Sequence, residues 1–362
     1  MKHAYTHLIP ENTAPAGATR IAVLDSQGTD IGSIALGGLA PPVGEPDYRI
    51  IVVSDPHIGL AHTESIMREI INDANDDPLC SAVVVCGDLV NDGRDDSQRS
   101  IYADIIESSA KPVYSISGNH DAMWGYPTDS HMESYTGKAS NAINPGYPLY
   151  YAVAATADSE SRIFANPDLP SGDIHIFLGH YGKDHTGNGA WYGGEQFSAE
   201  ELAWFESVMA ANADKRRFVY IHPYIPNTAG DPPIATDSPK KRPPNLWDKH
   251  STVSTDAGAD FLEIVNRYPG AMIVNGHSHY RFSTQEEYSP SNVYTADNYQ
   301  IIHTPSPTRL RVVKDGWRYD YEYGQAGYGG EGYIMDVYAD CTYFRGRDFV
   351  NHVWVGIGTY RF

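Results

Sequence analysis

The nonapeptide RIIVVSDPH, residues 49–57, joins a β-branched apolar run to an Asp and a His two residues apart. A short continuous apolar run of this kind reads as a buried strand. Four similar runs follow, each ending on polar residues. They are SAVVVC (81–86) with Gly87-Asp88, PVYSIS (112–117) with Gly118-Asn119-His120-Asp121, RRFVYI (216–221) with His222, and AMIVN (271–275) with Gly276-His277-Ser278-His279. Helical periods lie between them at 62–74, 95–108, 198–210 and 256–267; the third opens on Ser198-x-x-Glu201, a capping-box spelling. Alternating β and α at these spacings predicts an α/β sheet with helical cover.

In open α/β sheets, sites assemble at the carboxyl ends of strands, so five adjacent strands would bring the five tips into one crevice. In an extended segment residues i and i+2 face the same side, which lets Asp55 and His57, or His277 and His279, reach one ion together. Gly87, Gly118 and Gly276 stand where the chain must turn sharply or let an ion approach. The candidate ligands are Asp55, His57, Asp88, Asn119, His222, His277 and His279. One ion cannot use them all and still admit a substrate. Two ions sharing one carboxylate can, because sharing turns seven side chains into eight bonds. All donors are N or O, which suits Mn, Fe, Zn, Co or Ni and excludes a structural Cys-zinc site.

Flanking regions read differently. Residues 1–47 suggest two short strands around a turn at Gln27–Gly28, a small β appendage ahead of a catalytic domain at 48–362. Within that domain the motifs span 48–305, and 306–362 forms a β extension. The stretch 293–362, rich in Tyr, Gly and β-branched residues, suggests a terminal β meander. Residues 223–245 hold seven prolines and read as a long surface loop. The Gly-rich loop 179–194, with His175, His180, His185, Trp191 and Tyr192 near or in it, is either a lid over the site or an ordinary surface loop. Tyr126, Tyr147, Tyr224 and Tyr280 are read as packing residues, and His303 receives no role.

The 362 residues carry 26 Lys+Arg against 46 Asp+Glu, a formal charge of −20. Such acidity speaks against nucleic acid and anionic membrane surfaces as partners. The basic cluster Lys240-Lys241-Arg242 reads as a solvated loop. No apolar run approaches the roughly 18 residues of a membrane span, and Met1–Pro10 holds no signal-peptide core. The expected location is cytoplasmic for the sequence as it stands and extracytoplasmic if a leader precedes it. Cys80, Cys86 and Cys341 form neither a disulfide framework nor a CxxC motif.

The ordered set Asp-x-His, Gly-Asp, Gly-Asn-His-Asp, His and Gly-His-x-His resembles that of the calcineurin-like metallophosphoesterases, over roughly residues 48–305. The tail GYIMDVYADCTYFRGRDFV is similar to the end of bacterial members that carry a small N-terminal β element. The resemblance implies a four-layer α/β/β/α sandwich and hydrolysis of a small-molecule phosphoester at a dinuclear centre. By that resemblance Asp55, His57 and His279 hold one ion, Asn119, His222 and His277 the other, and Asp88 bridges them. His120 faces the substrate as general acid, with Asp121 hydrogen-bonded behind it to fix its tautomer. The ions lower the pKa of a shared water, making the bridging hydroxide the nucleophile. Purple acid phosphatase relatives place a Tyr ligand three residues after the bridging Asp; here that position is Asn91, so a ferric tyrosinate site is not expected.

Segments VYIHPYIPNT and GDLVNDG look like those of phosphodiesterase members, which favours a diester over a monoester or a nucleotide pyrophosphate. The rival outside enzymes is a binding or scaffold protein on a spent phosphoesterase fold, against which the complete ligand set argues. Global acidity does not repel an anionic substrate here. Two divalent ions against two carboxylates leave about +2 locally, and distant charges are screened beyond about 8 Å.

Overall fold

The structure is a computed structural model that describes residues 8–10, 20–24, 30–35, 42, 44–122, 132, 135, 146–179, 197–225, 228–230, 255–282, 292–314, 318–323 and 330–362. Two seven-stranded sheets organise them. In the first, β4 (Tyr48–Val53), β5 (Cys80–Cys86) and β6 (Val113–Ile116) run parallel. Beyond β4 the sheet continues antiparallel through β16 (Glu331–Val337), β17 (Thr342–Asp348) and β18 (Val353–Arg361), ending on β1 (Leu8–Pro10). The second sheet has a parallel centre of β9 (Asp173–Leu178), β10 (Arg216–Ile221), β11 (Ala271–Asn275) and β13 (Tyr299–His303). Its edges are β7 (Tyr150–Ala154) with β8 (Ile163–Ala165), and β12 (Val293–Thr295).

Period-two alternation divides the side chains between two cores. Tyr48, Ile50 and Val52 of β4 join Phe218, Tyr220, Met272 and Val274 between the sheets. Ile51 and Val53 face the other way, with Ile66, Met67, Ile70 and Ile71 of helix α1 (Thr63–Asp76). Helix α2 (Asp96–Glu107) packs beside α1 and adds Tyr102, Ile105 and Ile106. On the second sheet, α3 (Ala199–Ala211) and α4 (Thr255–Arg267) cover Val219, Ile221 and Ile273 with Phe205, Met209, Phe261 and Val265. The architecture is the expected four-layer α/β/β/α sandwich.

The terminal stretch is more divided than a single meander. Its β12 and β13 belong to the second sheet, β14 (Arg309–Lys314) and β15 (Arg318–Tyr323) form a separate hairpin, and β16–β18 build the first sheet. Every residue of β16 is buried, as an interior strand covered on both faces requires. At the other end, β2 (Arg20–Leu24) and β3 (Asp30–Ala35) pair antiparallel on either side of the expected turn, whose residues lie outside those described.

A polar thread crosses the inter-sheet core. Tyr48 Oη donates to Asp173 Oδ2 at 2.7 Å and lies 3.0 Å from His175 Nε2, whose Nδ1 is 2.9 Å from Tyr220 Oη. Arg216 pairs with both Asp173 oxygens. Burial pushes His175 down to about 3, so it is neutral and structural. His180, His185, Trp191 and Tyr192, and the basic cluster 240–242, lie outside the described residues. Among the described residues no helix is long and apolar enough to cross a membrane.

The capping box of α3 forms as spelled. Ser198 Oγ accepts from Glu201 N at 3.0 Å, and Glu201 Oε2 accepts from Ser198 N at 3.4 Å. Glu201 is fully buried and its Oε1 has no hydrogen-bond partner among the described residues, and burial pushes its carboxyl well above the usual range. Because the unfolded chain ionises this group at lower pH than the fold does, it costs stability as pH rises above the unfolded value. Every tenfold weakening of the acid on folding costs about 1.4 kcal/mol. Glu201→Gln keeps the box and removes the ionisation. It is expected to stabilise the fold at pH 8 by more than it does below pH ~4, where both side chains are neutral. Urea unfolding at the two pH values checks this, and an equal effect at both would refute it.

Candidate metal centre

All five strand tips converge at the carboxyl ends of β4, β5, β6, β10 and β11, and the seven candidate ligands are buried there. One set comprises Asp55, His57, Asp88 and His279; another comprises Asp55, Asp88, His222 and His277. In each, one ligand atom per residue lies within 4.8 Å of the others. His279 Nε2 is 2.9 Å from Asp55 Oδ1 and 3.2 Å from His57 Nε2. His222 Nε2 is 3.0 Å from His277 Nδ1 and 3.2 Å from Asn119 Oδ1, which adds Asn119 to the second set. Asp88 turns a different oxygen to each set: Oδ2 lies 3.6 Å from His57 Nε2 and Oδ1 3.4 Å from His222 Nε2.

The route to this convergence is not the extended one. Asp55 (φ 55°), His57 (44°), Asp88 (50°), His277 (71°) and His279 (60°) are all left-handed, five of eight such non-glycine residues among those described. Alternation along an extended strand therefore does not bring Asp55 to His57, and His277 and His279 fall in different sets. Each left-handed residue costs on the order of 1–3 kcal/mol and persists only where its surroundings over-determine it.

Several contacts supply that constraint. Asp55 N and His57 N donate to the carbonyls of Gly87 and Asp88, both at 3.0 Å. Ser54 Oγ donates to Asp55 Oδ2 at 2.5 Å, and His277 N to the same oxygen at 2.8 Å. The run 304-TPSPT-308 latches the β4 tip from behind, Ser306 Oγ donating to Asp55 O and Thr308 Oγ1 to Pro56 O, each at 2.7 Å. At Gly118 a Cβ would overlap Asp88 Oδ1 and lie 2.8 Å from His222 Nε2, so only glycine lets these groups meet. At Gly87 both a φ of 84° and the His222 ring exclude a side chain.

Electrostatics fit cations. Burial works against charge on Asp88, yet the imidazoles of His222 and His120 hold it well below the usual carboxylate range. Burial likewise works against charge on His222, and Asp88 and Asp55 raise it to about 10. Burial and the neighbouring imidazoles push His57 and His277 down, leaving lone pairs to donate. His222 Nδ1 donates to Cys86 O at 2.8 Å, which aims Nε2 inward. His57 Nδ1 is buried without a hydrogen-bond partner among the described residues. Two carboxylates, four imidazoles and an amide oxygen, all converging and sulfur-free, match a dinuclear divalent centre.

His120 stands beside both sets and belongs to neither. Its N donates to Asp88 Oδ1 at 2.7 Å and its ring packs edge-on to His57 at 4.6 Å. Here the expected partner changes. His120 Nδ1 donates to the Asn91 carbonyl at 2.6 Å, so that main-chain oxygen fixes the tautomer. The Asp121 carboxylate instead accepts from the amides of Gly118 (2.8 Å), Leu89 (3.1 Å) and Val90 (3.2 Å). It ties the β5 tip to the β6 tip. Burial and the Asp88 charge push Asp121 up to about 8 against those donors.

Sequence reading missed Ser54, Ser306, Thr308, His303 and the Asn91 carbonyl. Only TPSPT carried a signal, a hydroxyl-rich tip directly after the strand YQIIH. A cavity of about 510 Å³ lies elsewhere, at the amino ends of β9–β11 beside Asp173, Arg216 and Phe362.

Residues 48–281 match the family described as calcineurin-like phosphoesterase, so the chain belongs to that family. It is accordingly a metal-dependent phosphoester hydrolase. Among solved structures, GAP50, the anchor in the inner membrane complex of Plasmodium, is similar at 10% identity and TM-score 0.49, over 87% of both chains. Purple acid phosphatase PPD1 from yellow lupin seeds is similar at 14% identity and TM-score 0.47, over 89% of this chain and 55% of that one. TT1561 of Thermus thermophilus is similar at 10% identity and TM-score 0.39, over 77% of this chain and 99% of that one. No curated protein matches the chain.

Proposed function

We propose that the protein hydrolyses small phosphodiesters, with Asp88 bridging two divalent transition ions and His120 as general acid. The carrying observation is that the two Asp88 oxygens face different imidazole sets, with His120 next to both. Asp55, His57 and His279 would hold one ion, and Asn119, His222 and His277 the other. Divalent Mn, Fe, Zn, Co or Ni held there would supply Lewis-acid chemistry, acidifying water and offsetting charge on the phosphoryl oxygens.

The protein's own part is geometry and a proton. Because Nδ1 of His120 is committed to the Asn91 carbonyl, the transferable proton is the one on Nε2 of the imidazolium. Asp88, accepting from the His120 amide, fixes the main chain that carries the ring. Asp121 positions the main chain of the same loop. Neither carboxylate needs to move during turnover.

The diester preference rests on GDLVNDG (87–93) and VYIHPYIPNT (219–228), the segments that resemble phosphodiesterase members. The Mn-reconstituted protein is expected to show a higher kcat/KM on an aryl phosphodiester than on the matched monoester or a nucleotide pyrophosphate. A monoester or pyrophosphate preference would reject the diester reading and leave the hydrolase class standing.

A further inference from the structure

Strand β13 ends at His303, in register with Asn275 at the end of β11. Both residues are fully buried, and Ser278 nearly so. The His303 ring spans the ligand loop, with Nδ1 2.9 Å from Asn275 Oδ1 and Nε2 3.0 Å from Ser278 Oγ. The direction of this chain is set from its far end. Asn275 Nδ2 donates to the Ala229 carbonyl at 3.2 Å, so its oxygen faces the ring. An amide oxygen only accepts, so His303 Nδ1 carries the proton, Nε2 accepts, and the Ser278 hydroxyl donates. Gly230, at φ 86°, leaves the room, since a Cβ there would overlap His303 Nδ1.

A Ser-His-Asn chain is also the shape of a nucleophile relay. Burial excludes that use here, because Ser278 is 1% exposed and His303 and Asn275 are at 0%, beyond the reach of a substrate. What Ser278 does occupy is the position between His277 and His279, the two left-handed residues whose rings enter different ligand sets.

We propose that His303 is a positioning residue for the metal centre: through Ser278 it holds His277 and His279 in their left-handed conformations, and so sets the affinity of both ion subsites. The proposal rests on the dinuclear reading above. Outer partners of metal ligands typically govern affinity by 10–100-fold.

The test uses the full chain, with Ser278→Ala, His303→Phe and the double variant. Mn(II) is titrated calorimetrically into the apoprotein, and urea unfolding is followed in chelator. Each single variant is expected to bind both ions about 10–100-fold more weakly, with kcat recovering at saturating Mn(II). The double variant is expected to be no weaker than the weaker single, because both substitutions break the Ser278–His303 bond through which His303 acts, and His303→Phe has already removed the bond to Asn275 as well. Wild-type affinity in the folded variants, with only the unfolding midpoint lowered, would make the role structural and overturn the proposal. Additive losses in the double variant would overturn it too. If His303→Phe does not fold, Ser278→Ala decides alone, since it removes a single oxygen. Wild-type protein that binds fewer than two ions overturns the dinuclear reading and this proposal with it, whereas two ions in wild type and unaltered variants overturn only the role of His303.

Discussion

Asp88→Asn is expected to lower kcat/KM by at least about 10³-fold, some 4 kcal/mol of lost transition-state stabilisation, and to leave the folded protein with fewer than two tightly bound ions. The substitution isolates the bridge. Asp88 sits at φ 50°, a conformation that Asn tolerates as readily as Asp, so the backbone has no reason to shift. Volume is conserved at a residue only 1% exposed. What changes is that one of two acceptor oxygens becomes an N–H donor, and one negative charge disappears. If the amide nitrogen faces His57, the first set loses its shared ligand; if it faces His222, the second does. Either way the two sets no longer share Asp88 through two anionic oxygens, and Asp55 is left as the one carboxylate common to both. Metal content by mass spectrometry, measured beside steady-state rates, reads both halves of the claim. Two retained ions with activity within tenfold of wild type would sink the bridging role.

How much of this was legible in the sequence depends on what each feature is made of. The strand cores were legible because burial on both faces writes itself as runs such as VVVC and RIIVV, and the helices because Ile66, Met67, Ile70 and Ile71 repeat with the helical period. Strands β7 to β9 were not read. IFA has only three residues, and His175 interrupts DIHIFL with a polar residue that the Tyr48 and Tyr220 hydroxyls make tolerable. The place of β16 to β18 beside β4 joins residues almost three hundred positions apart, a pairing that no local pattern encodes.

At the site, side-chain identity was legible and backbone conformation was not. Five left-handed ligand positions look in sequence like the ends of ordinary strands, so the extended reading paired Asp55 with His57 for the wrong reason and wrongly gave His277 and His279 to one ion. Support by main-chain groups is equally silent. Nothing in the letter Asn91 says that its carbonyl, rather than a carboxylate, receives His120 Nδ1. Ser306 and Thr308 were visible as hydroxyls, but their acceptors lie some 250 positions upstream. Tertiary contacts over such separations choose among conformations that propensity leaves open.

His120→Ala carries the second large expectation, and its size should depend on the substrate. An alkoxide leaving group needs a proton in the transition state, while a nitrophenolate departs without one. Loss of a positioned general acid removes about 10²–10⁴-fold where the proton is needed. The variant is therefore expected to slow alkyl esters by about that factor and activated aryl esters by less than roughly tenfold. The site should otherwise survive, because His120 belongs to neither ligand set and its hydrogen bond to Asp88 comes from the main chain, which alanine keeps. Both ions should stay bound, which separates this loss from that of Asp88→Asn. The side chain removed also packs against His57, so a general disturbance of the first subsite would appear as weaker metal binding and an equal loss on both esters. That outcome would sink the acid role. A rate loss that grows steadily with leaving-group pKa, at unchanged metal content, is what proton donation by His120 demands.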